Sequence, residues 1–523
     1  MRRYLSRMFL ALGVTAALSV PAPSPITAQA GGGPTILHPL LDVRPVVQGL
    51  NVPTSIAFLG PDELFVLEKN SGRVLHVDEG AVEEVLDLSV NSNSERGLLG
   101  IALHPDFPDD AGVYLFWTCR SAATLDDDPF TPEEEECSDD PAVMTGLPDS
   151  GNVLQVPLLG NRVDRFEWTG SDLVYEHNLI KLLAFQNDGA AEPPGQGDEA
   201  QPPRGNHDGG VIAFGPDGKL YVMFGDVGRR GQLQNLPTGP GPSPGPTTPD
   251  DQFGGPEPDD AHFTGVILRL NPDGTTPADN PFFEAGQEMG GEVGENIQRI
   301  FAYGIRNSFG MAFDPLSGRL WDQENGEDAF DELNLIERGM NSGWIQIIGP
   351  VNRLSEYKGI ETTALHHEDF PNLQQFRWGP ERIAETPAEA LSRLFVLPGS
   401  TYNDPEFSWK HVVPPAAIGF VGSRALGPQF EGDLFVGAAL PTSHPGGFLF
   451  RFNLTGNRRK IAVDDPRLED RVADNVTFHD LTESESLLIG EDFGVVTDIE
   501  TGPNGNLFVV SLDRGAIYEI FRS

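Results

Sequence analysis

The chain has little of four things: cysteine, lysine, long apolar runs and long helical patterns. Two cysteines in 523 residues, Cys119 and Cys137, are too few for a cysteine-built metal centre or a disulfide-dense scaffold. The lysines are Lys69, Lys181, Lys219, Lys358, Lys410 and Lys460, and Lys+Arg total 35 against 78 Asp+Glu, a formal net charge of −43. So acidic a surface repels phosphate backbones and anionic lipid, which argues against nucleic acid or a membrane surface as partner. It tolerates divalent cations. No stretch reaches the eighteen or so apolar residues of a transmembrane helix, so no membrane span is expected.

What is present starts with a targeting pattern. Arg2, Arg3 and Arg7 precede the run MFLALGVTAALSV, and Ala28-Gln29-Ala30 ends a Pro-rich segment. A basic start, a short apolar core and an A-x-A site make residues 1–30 an export signal. The mature chain is expected to begin near Gly31 and to work in the periplasm or outside the cell. In that compartment Cys119 and Cys137 are expected to pair, closing an acidic loop that has nothing apolar to bury. Such a bridge stabilises by about 3 kcal/mol on the chain-entropy argument.

With Gly 60 and Pro 45 and few helical patterns, the composition reads as all-β. One signal recurs: a turn, a small residue, then an aromatic or leucine in an alternating run. It occurs six times, at 62–70, 112–118, 218–226, 318–325, 432–440 and 505–513. A strand precedes the turn in several copies (SIAFLGPDE, VIAFGPDG, GMAFDPLSG) and another often follows (GVILRLN, GGFLFRFN, GAIYEIF). Turn, strand, turn, strand in a repeated unit is the pattern of a β-propeller blade. Six copies predict a six-bladed propeller over 31–523, with long loop insertions and one short helical insertion.

The insertions are compositional. Residues 119–150 are acidic, 186–204 polar and Pro/Gly-rich, and 236–260 low-complexity; such segments cannot offset their ordering entropy by burial and read as surface loops. Residues 351–411 differ, since they hold the helical stretch PAEALSRLF at 387–395 between aromatic-rich flanks. This insertion is expected to be either a lid over one face or a brace beside a blade.

The chemistry concentrates at 204–226, RGNHDGGVIAFGPDGKLYVMFGD. Two alternating runs around a GPDG turn predict a β-hairpin, which places His207 at the entrance of one strand and Asp226 at the exit of its neighbour. A histidine beside a carboxylate is a general base with its orienting partner; the residues are equally those of ordinary turns. Three further segments stand out: Ser94-Glu95-Arg96-Gly97-Leu98-Leu99-Gly100, Tyr303-Gly304-Ile305-Arg306-Asn307, and Glu324-Asn325-Gly326-Glu327 running on to Asn341-Ser342-Gly343-Trp344.

RGLLGIALHPDF, NHDGG, FGPDGKLYV, GVILRLNPDGTTPADNPF, YGIRN and DELNLIERGMNSGW occur in the order in which their counterparts occur in one family. By these motifs the chain resembles the soluble PQQ-dependent sugar dehydrogenases, the glucose/sorbosone dehydrogenase-like six-bladed propellers, over nearly its whole mature length. The resemblance implies a quinone (PQQ) over the mouth of the propeller, a small-molecule sugar or alcohol as substrate and an external electron acceptor. It implies His207 as the base and Asp226 as its orienting carboxylate, with Glu95, Arg306 and Asn307 at the quinone. It implies calcium (Ca2+) held at the quinone by carbonyls of Gly326 and Glu327, and a second calcium at Glu332 and Ser342.

The match is incomplete. Close relatives often carry glutamine where Glu95 stands, some carry a lysine near 438–440, and some carry arginines just before the position of Asp498, where this chain reads Gly494-Val495-Val496-Thr497-Asp498. These gaps leave open a non-catalytic extracellular propeller that binds a glycan or a protein partner. A calcium-dependent hydrolase or lactonase is a third reading, and it requires a cluster of carboxylates at the central channel. Oligomeric state is not legible.

Overall fold

In a computed structural model the chain divides into Met1–Gly32 and a compact unit, Gly33–Ser523. The structure describes residues 33–92, 95–119, 160–182, 184, 206–227, 264–361, 383–439 and 446–523. The export signal, Cys137 and the insertions 186–204 and 236–260 lie outside the described residues, as does 120–150 of the first insertion.

The compact unit is all-β in a propeller arrangement, and the strands among the described residues form six sheets. Each of the six repeat copies is the second strand of one sheet: Glu63–Glu68, Gly112–Thr118, Leu220–Phe224, Leu320–Glu324, Leu434–Ala438 and Leu507–Ser511. These strands are buried almost throughout because neighbouring sheets cover both of their faces, which explains runs such as LYVMF and LFVVS. Each pairs antiparallel with an innermost strand, respectively Pro53–Gly60, Leu98–Leu103, Ile212–Phe214, Gly310–Phe313, Pro415–Phe420 and Val496–Thr501. Every innermost strand touches the next, and the last touches the first. The ring is closed by sequence ends: Leu41–Gln48 is the outer strand beside Ala516–Arg522.

Apolar side chains fill the wedges between sheets. Between two of them Trp409, wholly buried, meets Phe450 and Phe452 at ring separations of 5.3 and 5.9 Å. Burying each such aromatic stabilises by about 1.5–3 kcal/mol.

The helix expected at 387–395 spans Pro387–Arg393, with Thr386 Oγ1 accepting from Glu389 N at 3.2 Å as its N-cap. Among the described residues, three helices that the sequence reading passed over are Phe283–Met289, Gly291–Arg299 and Leu354–Glu361. The last belongs to the 351–411 insertion, and its Glu361 carboxylate accepts from Asp328 N and Ala329 N at 3.1 Å each. This part of the insertion braces the loop that follows Glu324; residues 362–382 lie outside the described residues.

Candidate active site

The hairpin forms as read, with Ile212 opposite Val222 and Phe214 opposite Leu220. Beyond the regular strands the pairing continues through Met223 N to Val211 O at 2.9 Å and Gly210 N to Met223 O at 3.0 Å. That ladder carries the chain directly to the two predicted residues. His207 Nδ1 lies 2.6 Å from Asp226 Oδ1, and both side chains are buried. His207 adopts a left-handed backbone (φ 61°) ahead of Gly209 and Gly210 (φ 64° and 102°), a conformation that costs a non-glycine residue about 1–2 kcal/mol and typifies functional sites. Gly225 makes the approach possible, because a Cβ there would run into the His207 carbonyl oxygen and the Asn307 side chain.

Asp226 is fixed from three directions. Its Oδ2 accepts from Trp344 Nε1 at 2.9 Å, and its backbone N–H donates to Arg306 O at 2.8 Å. Arg306 in turn donates its backbone N–H to Glu324 Oε1 at 2.6 Å and Nη1 to Asn325 O at 2.9 Å, while Nη2 pairs with the Glu327 carboxylate. Its guanidinium lies 5.5 Å from the centre of the Trp344 ring, a cation–π contact. Asn307 Nδ2 donates to Glu95 Oε2 at 3.2 Å, and the same oxygen accepts from His207 N. Glu95, His207, Asp226, Arg306 and Asn307, five residues from three separate segments, thus meet in one constellation.

The residues expected to hold metal occupy two neighbouring places. Gly326 N donates to Asp331 Oδ1 at 2.9 Å, and a Cβ on Gly326 would collide with the carbonyls of Ala329 and Phe330, so only glycine fits that turn. Burial pushes the Asp331 carboxyl up to about 7. Ser342 Oγ donates to Glu324 Oε2 at 3.2 Å, and Asn334 Nδ2 bridges Glu332 Oε2 at 3.2 Å and Glu324 Oε2 at 3.4 Å. Burial raises Glu324 to about 8 and Glu332 well above the usual carboxylate range, and each carboxyl's neighbours add to the effect. Gly326 and Glu327 therefore sit beside Arg306, and Glu332 and Ser342 sit together around Glu324. Among the described residues no group of three or more His, Cys, Asp or Glu side chains is arranged to hold a metal ion.

Inside the ring of innermost strands lies a cavity of about 520 Å³, lined by Leu99, Ile212, Met311 and Ile418 and by the polar Lys69, Glu95 and Asn325. Its volume suits a small organic molecule. Arg306 and Asn307 donate to Asn325 and Glu95 of that wall, and their Nε and Oδ1 atoms are buried without a hydrogen-bond partner, a costly state that a polar ligand relieves. Sequence reasoning missed Trp344 as the second partner of Asp226, Glu324 as the hub between Arg306 and Ser342, and the charged group of Lys69, Arg96 and Asp208. Asp208 accepts from Asn161 Nδ2 at 2.9 Å, and burial pushes its carboxyl up to about 6. The only available signals were adjacency in NHDGG and the rarity of lysine.

A β-propeller with a buried His–carboxylate pair beside a central cavity is the class that fold and site define. The family model for glucose/sorbosone dehydrogenases matches residues 50–130 and 247–380. The quinoprotein glucose dehydrogenase B of Acinetobacter calcoaceticus is 27% identical over 440 residues, 79% of this chain and 77% of that protein. An aldose sugar dehydrogenase of Escherichia coli is 25% identical over 307 residues, 59% of this chain and 57% of that protein. A crystal structure from Thermus thermophilus described as a glucose dehydrogenase-type oxidoreductase shares the fold, with a TM-score of 0.55 and 24% identity over 92% of this chain and all of that one (100%). The chain is thus related to the glucose/sorbosone dehydrogenases, as its motifs indicated. The comparisons support an oxidoreductase that acts on sugars.

Proposed function

We propose that this chain is an exported, six-bladed quinoprotein that oxidises a sugar or related alcohol. In this reading the six sheets are its blades and Cys119 pairs with Cys137. The observation that carries the proposal is the His207–Asp226 contact at 2.6 Å beside two buried polar atoms that lack partners. With Nδ1 held by Asp226, the His207 ring presents Nε2 to a substrate hydroxyl and takes its proton. Asp226 fixes the ring and stabilises its protonated form, while Trp344 holds Asp226 in register. PQQ, when bound, supplies the acceptor for hydride. Arg306 and Asn307 offer it unsatisfied polar atoms, and Glu95 positions Asn307 and the His207 backbone.

Calcium at the backbone carbonyls of Gly326 and Glu327, and at Glu332 with Ser342, completes the proposal, since hard cations take carboxylate and carbonyl oxygens. The rigid hold of Asp331 and Glu361 on the N–H groups of the 326–329 turn supports a fixed set of carbonyls there. Absorbance titration of the purified protein with PQQ at saturating calcium tests the reading, followed by dye reduction with a panel of aldoses. Saturable quinone binding and dye reduction abolished by His207→Ala are expected. Absence of quinone binding refutes the proposal and leaves the non-catalytic glycan- or protein-binding propeller in its place.

A further inference from the structure

The central cavity has an unusual charge balance. Its wall carries the carboxylates of Glu95, Asp498 and Glu500, and among the described residues one cation, Lys69. Lys69 follows immediately on the strand Glu63–Glu68 of the first sheet. It is half-buried, with Nζ donating to Ser92 O at 3.1 Å and reaching Asn70 Oδ1 at 3.5 Å. Burial lowers the Lys69 ammonium to about 8; Asp208 and Glu95 oppose the shift and Arg96 adds to it.

The place of Lys69 matters as much as its charge. Glu95, which shares the cavity wall with it, holds both the His207 N–H and Asn307 Nδ2. An anionic ligand docking against Arg306 and Asn307 would otherwise meet only carboxylates among the charged groups of the cavity wall. Resting on the quinone reading above, we propose that Lys69 receives a carboxylate of the bound quinone, in place of the cations that the sequence lacks near 438–440 and 494–498. The site then adds a positive charge from the first sheet to that of Arg306, and selects for ligands that carry an acid group.

The test measures PQQ affinity directly, by absorbance titration at saturating calcium, in the wild-type protein, Lys69→Met and Lys69→Arg. Loss of a charge-assisted contact predicts at least a tenfold weaker Kd for Lys69→Met, with Lys69→Arg within about threefold of wild type. Wild-type affinity is expected to fall between pH 7 and pH 9 as the ammonium deprotonates, and the Met variant to show no such fall. Equal affinity of wild type and Lys69→Met overturns the inference while leaving the quinone reading intact. Failure of the wild type to bind PQQ overturns both. Should Lys69→Met not fold by thermal melt, Lys69→Gln takes its place under the same criterion, and affinity equal to wild type refutes the role.

Discussion

Replacing Asp226 by asparagine removes one charge and almost no volume, so it probes the hydrogen bonding of the pair with little change in packing. The carboxylate accepts at both oxygens, from His207 Nδ1 at 2.6 Å and from Trp344 Nε1 at 2.9 Å. An asparagine has one oxygen for these two places. Indole N–H is a donor only, whereas an imidazole nitrogen can shed its proton; the amide oxygen therefore settles on Trp344 and the NH2 group on Nδ1. That arrangement drives the remaining imidazole proton to Nε2, the atom required to accept from the sugar. The same carboxylate-to-amide change in a His–carboxylate pair costs about 10⁴ in kcat, about 5.5 kcal/mol. Steady-state dye reduction with PQQ, calcium and the best aldose should show this loss with quinone affinity unchanged. In a Trp344→Phe background the amide can turn its oxygen back to His207, so the same substitution should cost one to two decades less, a non-additivity expected of groups in contact. Retention of more than a tenth of wild-type kcat by Asp226→Asn would refute the assignment of His207 as base.

Gly225→Ala should lower both stability and activity, because its Cβ has no room beside the His207 carbonyl; a shift of about 1–3 kcal/mol in urea unfolding is expected. A channel carboxyl gives a pH test. Asp498, which accepts from Ser55 Oγ and Ile56 N, has its carboxyl pushed up to about 6, with burial as the first cause. A raised acid binds its proton more tightly folded than unfolded, so stability is lost as pH rises from the ordinary carboxylate range through about 6. Asp498→Asn should flatten that decline in urea midpoints measured between about pH 4 and pH 8; an undiminished slope would rule the group out.

The fold was legible where the pattern was local and repeated. Each of the six copies of the turn–aromatic signal became the second strand of a sheet, since a fully covered strand must be apolar throughout. His207 and Asp226 were legible because a hairpin fixes which residues flank it. Trp344 was not, although the NSGW segment was in view: it reaches Asp226 across 118 positions, and no period in a sequence specifies which loops share a mouth. Lys69 was passed over because a lone lysine after a strand looks like any solvated charge until the ring is closed. The missed helices run only seven to nine residues and all three contain glycine, so they never display two turns of apolar spacing.

The clasp between Leu41–Gln48 and Ala516–Arg522 sets an order of events during synthesis. Leu41–Gln48 waits for Ala516–Arg522, and joining two strands so far apart in the chain costs of order 5 kcal/mol in loop entropy. Throughout that wait Leu41–Gln48 is an orphan edge, the kind of segment that pairs with the wrong neighbour. Arg44 and Pro45 stand in its middle, and the register slips between Pro45 and Val47. A charge, a missing donor and a bulge make the strand a poor template for any partner except the one that completes the circle.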